Sequence, residues 1–182
     1  MPCRSPSDPV KFFVDSAKIS EISRAVSLGL CDGVTTNPSL MAKESGDPKK
    51  ILKAISRIVK GPVNAEALSQ DVKGILKEAG ELRKLGRNIH IKIPVTAEGL
   101  QAVAALSRRK IPTTVTLIFT LPQALAAAKA GANWICPFVG RLEDENGNGI
   151  GLVKEIANGL RYYRLKTQVL AASIRSVEHI LE

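Results

Sequence analysis

Short apolar runs alternate with amphipathic stretches along the whole chain, and the alternation keeps its period. The apolar runs begin near Lys11, Gly33, Val63, Ile89, Pro112, Trp134 and Thr167, a mean spacing of about 26 residues. That is the length of a strand, a helix and two loops, and no two runs are joined by a hairpin turn. Parallel strands linked by right-handed helical crossovers are therefore predicted, an α/β class. Punctuation supports the helices. Ser16 or Ser20 is expected to cap the first, Asp71 the third, and Thr96 with Glu98 to open the fourth. Gly29, Gly61, Gly86 and Gly131 fall where C-terminal caps belong.

Two architectures suit such a pattern: a doubly wound open sheet and an eight-stranded barrel. The first strand and its exit, Phe12-Phe13-Val14-Asp15-Ser16-Ala17, carry none of the glycines of a phosphate loop. Instead a polar residue lies near the C-terminal end of nearly every strand: Asp15, Asn37, Glu66, Lys92, Thr116 and the pair Ser173/Arg175. A (β/α)8 TIM barrel gathers its chemistry at those ends, so the expectation is a barrel with one site. Seven strands are counted before Glu182, which makes the eighth βα unit apparently missing from this chain and leaves two strand edges to be covered.

Lys92 stands out within Ile89-His90-Ile91-Lys92-Ile93-Pro94. A period of two places His90 and Lys92 on one face and the three isoleucines on the other. A strand flanked by helices is buried on both faces, where an ammonium ion is costly. Burial lowers a lysine's pKa, and a neutral amine can form a Schiff base with a carbonyl substrate. A buried lysine paired with a carboxylate accounts for the strand equally well, and the pattern alone leaves both open.

Composition narrows the classes. With 182 residues and 45% hydrophobic content, a single domain over residues 11–182 is expected behind a disordered tail at 1–10. No run is long enough for a membrane span, and the opening residues lack a signal-peptide core. Cys3, Cys31 and Cys136 are odd in number and without metal-ligand spacing, so free thiols in a reducing, cytoplasmic setting are expected. The net charge of +9 raises nucleic acid as a partner. The cations are scattered over helix faces and C-terminal turns, and only 4% of residues are aromatic, so an anionic small substrate fits better. Asp144-Glu145-Asn146-Gly147-Asn148-Gly149 with Glu155 imitates a calcium loop, yet Gly151 stands where an apolar residue belongs and a strand is expected before it; no metal is predicted.

Five ordered motifs carry a resemblance. Gly33-Val34-Thr35-Thr36-Asn37-Pro38-Ser39-Leu40 resembles the transaldolase signature, and Ile91-Lys92-Ile93-Pro94 resembles the segment around that family's Schiff-base lysine. Val115–Phe119, Pro137–Arg141 and Ala171–Arg175 follow in the family's order, so the resemblance spans roughly residues 10 to 182. The chain looks closest to the small bacterial-type transaldolases, relatives of the fructose-6-phosphate aldolases. It implies a barrel enzyme that moves a dihydroxyacetone unit between sugar phosphates without a cofactor, in the pentose phosphate pathway. The implied reaction converts sedoheptulose 7-phosphate and glyceraldehyde 3-phosphate to erythrose 4-phosphate and fructose 6-phosphate.

The same resemblance assigns roles. Lys92 would attack the ketose carbonyl, and Glu66 and Thr116 would hold the water that shuttles protons. Asp15 would accept the substrate hydroxyl's proton, and Asn37 would hydrogen-bond the dihydroxyacetone unit. Arg141, Arg175 and Ser173 would grip the phosphate. Glu66 and Phe138 stand where aldolase-like members tend to have Gln and Tyr, which favours transaldolase over a lyase releasing free dihydroxyacetone. Cys136 replaces a Ser common in relatives. A catalytically inactive truncated barrel is the alternative from another class. Small relatives assemble as rings through a C-terminal helix that this chain does not carry, so a homo-oligomer enters only through the resemblance.

Overall fold

A computed structural model describes residues 10–182, so the tail expected over residues 1–10 lies, but for Val10, outside the described residues. The chain divides into two compact units: residues up to Glu66 with Leu82–Ile89, and Ala67–Glu81 with His90–Glu182.

The first unit holds β1 (Phe13–Asp15), α1 (Ile19–Ser27), β2 (Gly33–Thr35), α2 (Pro38–Met41), α3 (Pro48–Ile58) and β3 (Val63–Glu66). The three strands are parallel and neighbour one another in chain order, with Val34 opposite both Val14 and Val63. Helix α3 shows how the sequence writes its own ends. Asp47 accepts the amide of Lys49 at 2.9 Å, Pro48 takes the first turn, where its missing N–H costs nothing, and Arg57 sits in the last. Its Ile51, Leu52 and Ile55, followed by Val59, form one buried stripe at helical spacing.

The second unit holds α4 (Val72–Arg83) up to Glu81, then β4 (Ile89–Pro94) from His90, α5 (Ala97–Arg108), β5 (Thr113–Ile118), α6 (Leu121–Ala130), β6 (Trp134–Pro137), α7 (Val139–Asp144), α8 (Gly149–Tyr162), β7 (Gln168–Val169) and α9 (Glu178–Leu181). Strands β4 to β7 are again parallel and in chain order. The expected cap Thr96 accepts from Gly99 N at 2.9 Å, and Asp71 accepts from Gly74 N at the same distance. Helix α6 opens with a reciprocal capping box between Thr120 and Gln123 and ends at Gly131, whose φ of 98° only glycine adopts cheaply. In α8, Leu152, Ile156 and Leu160 are buried four residues apart.

The seven parallel strands alternating with helices have the βα order of a (β/α)8 barrel. The strand starts read from the sequence fall within two residues of the observed ones. Some punctuation differs. Neither serine caps α1: its N-cap is Lys18, while Ser16 Oγ accepts from Lys18 N and donates to Glu21. Gly61 is no left-handed cap; a Cβ there would stand 1.7 Å from the Asp32 carbonyl oxygen, so close backbone approach is what requires it. Among the described residues no helix is long and apolar enough to cross a membrane.

Candidate active site

Strand β4 behaves as its alternation predicts. Ile89, Ile91 and Ile93 are fully buried, and Lys92 on the other face is only 5% exposed. Lys92 lies in register with Thr114 of β5, and Pro94 with Thr116. Register partners in a parallel sheet point to the same side, so Lys92, Thr114 and Thr116 share one face. Thr116 is 1% exposed, and its Oγ1 has no hydrogen-bond partner among the described residues. Thr113 Oγ1, on the opposite face, is likewise without one, so it is the position beside Lys92 that singles Thr116 out.

Just past Thr116 the strand breaks its regularity. The β5–β6 register shifts between Val115 and Ile118, and Leu117 has φ 60°, an unusual conformation for a leucine. Such bulges re-aim side chains and gather beside active sites.

Another cluster forms after β6 and β7. Phe138 bridges Ala172, Val139 N donates to Ala172 O at 2.9 Å, and Gly140 N donates to Ser173 O at 3.0 Å. The start of α7 is thereby tied to the segment Ala172–Arg175. Arg141 lies over the Phe138 ring at 5.0 Å from its centroid, a cation–π contact, and Phe138 tilts against Phe119 at 6.0 Å. Ser173 adopts φ 58°, the left-handed region. Arg175 forms a two-pronged pair with Asp144: Nη2 donates to Oδ2 at 2.7 Å and Nη1 to Oδ1. The Arg175 hydrogen bond holds the Asp144 carboxyl below the usual carboxylate range, helped by the charges of Arg175 and Arg141, and Asp144 in turn pushes Arg175 up. His179 Nδ1 accepts the Arg175 amide at 3.3 Å and Nε2 lies 2.9 Å from Glu143 Oε2, so a proton on Nε2 satisfies both contacts.

The remaining residues expected in the site belong to the first unit. Asp15 ends β1, opposite Thr35, whose hydroxyl donates to Asp15 Oδ1 at 2.7 Å. Glu66 ends β3 and is half-buried. Asn37 caps α2, its Oδ1 accepting from Leu40 N at 2.9 Å. Pro38 takes the first helical position after this cap, so the segment starts a helix.

Sequence reasoning missed α7 and the partners it supplies, Asp144 and Glu143. The sequence pattern presents Asp144 only as the first position of a calcium-like loop, behind an expected strand. The structure puts a helix before it and engages its carboxylate with Arg175, while Asn148 caps α8 by accepting from Gly151 N. Its spacing of three from Arg141 on one helix was the available signal. Among the described residues no group of three or more His, Cys, Asp or Glu is placed to hold a metal ion.

Residues 12–182 match the Transaldolase/Fructose-6-phosphate aldolase family. The chain is 50% identical over 173 residues to a probable transaldolase of Thermoanaerobacter sp. (strain X514), covering 95% of this chain and 80% of that protein. It is 52% identical over 174 residues to a probable transaldolase of Caldicellulosiruptor saccharolyticus, with the same two coverages. A probable transaldolase of Geobacter sulfurreducens is 49% identical over 172 residues, 94% of this chain and 80% of its own length.

Proposed function

We propose, from the premise that this chain belongs to the transaldolase/fructose-6-phosphate aldolase family, that it transfers a dihydroxyacetone unit between sugar phosphates through a Schiff base on Lys92. An enzyme of the aldolase or transferase type follows from the family. The finer reading rests on one observation above all: a lysine only 5% exposed, on the same strand face as two buried threonines.

In this reading the Lys92 amine adds to the C2 carbonyl of the ketose, and the carbinolamine loses water to give an imine. Thr116, whose hydroxyl has no partner among the described residues, and Glu66 hold the water that carries protons between nitrogen and oxygen. Asp15 accepts the proton of the C4 hydroxyl, the C3–C4 bond breaks, and its electron pair enters the protonated imine to form an enamine. The shortened aldose phosphate leaves. The enamine then attacks the aldehyde carbon of the acceptor, and hydrolysis releases the new ketose and free Lys92. Asn37 binds the three-carbon unit, and Arg141, Ser173 and Arg175 bind the phosphate, two guanidinium groups suiting a dianion. The roles of Asp15, Asn37 and Glu66 follow from their motif positions. Glu66 and Phe138 favour transfer over release of free dihydroxyacetone.

Borohydride reduction in the presence of fructose 6-phosphate tests the covalent step. Peptide mass spectrometry is expected to find the three-carbon adduct on Lys92; a folded protein labelled elsewhere, or not at all, overturns the mechanism. Turnover that needs erythrose 4-phosphate supports transferase chemistry, and steady release of dihydroxyacetone without an acceptor replaces it with the lyase.

A further inference from the structure

The guanidinium fork of Arg175 is already filled. Both terminal nitrogens engage the two carboxylate oxygens of Asp144, the planar geometry with which an arginine also holds a phosphate. Asp144 and Arg141 lie on the same short helix, so any anion shared by Arg141 and Arg175 sits beside the Asp144 charge. We propose that Asp144 is a specificity-determining residue, an internal carboxylate in the Arg175 fork that a substrate's dianionic phosphate displaces and a singly charged group does not. This rests on the reading of Arg175 as a phosphate ligand and deepens it.

Three features make the exchange feasible. The pair is open to water, with side-chain exposures of 51% for Arg175 and 54% for Asp144, so it is screened and readily broken. The Arg175 side chain runs across Gly140, where a Cβ would stand 2.7 Å from Nε, so the side chain lies against α7, the helix that carries both Arg141 and Asp144. The Arg175 backbone is held separately, its amide donating to His179. A sugar phosphate brings two charges and three equivalent oxygens against one charge and two. A carboxylate-bearing sugar brings no more than Asp144 already supplies, and competes less well for the fork.

Calorimetric titration with inorganic phosphate and with acetate tests this on wild type, Asp144→Asn, Arg175→Gln and the double variant, each first checked for native circular dichroism. Asp144→Asn keeps the shape and removes the charge. It is expected to bind phosphate about two- to fivefold more tightly, the range an exposed ion pair supports, and to narrow the preference for phosphate over acetate. In the Arg175→Gln background the same change is expected to do nothing, which a general structural or charge effect would not reproduce. Unchanged or weaker phosphate binding by Asp144→Asn overturns the proposal while leaving the phosphate site intact. Undiminished phosphate binding by Arg175→Gln overturns the underlying assignment instead.

Discussion

Lys92 and Thr114 stand in register across β4 and β5, which sets the lysine on the face that also carries Thr116. Opposite this polar row, three isoleucines of β4 are sealed from solvent. A strand that is apolar on one side and polar on the other follows from the two-residue repeat, and the apolar packing behind it holds the Lys92 side chain in place.

Thr116 offers the sharpest separation of stability from activity. Its hydroxyl is buried without a partner among the described residues, so Thr116→Val is expected to raise stability by about 1 kcal/mol in urea melts. In single-turnover kinetics the same variant is expected to slow Schiff-base formation by about 100-fold, the lower range for a lost proton-transfer group. A variant that is destabilised and fully active contradicts both halves.

Two glycines predict opposite outcomes. At Gly61 a methyl group would meet the Asp32 carbonyl oxygen at 1.7 Å, so Gly61→Ala is expected to lose about 1–3 kcal/mol or more. At Gly80, exposed on α4, a Cβ meets nothing within 4 Å, and Gly80→Ala is expected to gain about 0.5–1 kcal/mol. Paired denaturant midpoints check the signs.

The Asp144 carboxyl is held below its ordinary range by Arg175. A depressed native value means the pair's contribution is complete above the unfolded-state value and disappears as pH falls through the native one. Carbon-detected NMR titration should show Asp144 titrating below exposed aspartates, and Arg175→Gln should bring it back up.

Burial pushes the Cys31 thiol up, a hydrogen bond to the Gly33 backbone at 3.4 Å partly opposes this, and the Asp32 charge adds to the rise. Disulfide-exchange reagents are therefore expected to modify Cys31 more slowly than an ordinary exposed thiol at pH 8, since the thiolate is the nucleophile. Asp32→Asn should accelerate the reaction, and Cys136, 2% exposed, should stay unmodified in the folded protein. Residue-resolved mass spectrometry separates the two sites.

The order of strands and helices, most caps and the two faces of β4 were legible in the sequence because each is a local matter. A two- or 3.6-residue repeat and a capping side chain act within a few positions, and no distant contact is needed to write them. Tertiary contact decided the rest. Arg175 meets an aspartate 31 positions away, Gly61 yields to a carbonyl of another loop, and Leu117 turns where two strands lose register. Pairings between distant segments carry no periodic signature, since they arise only once packing has brought the segments together.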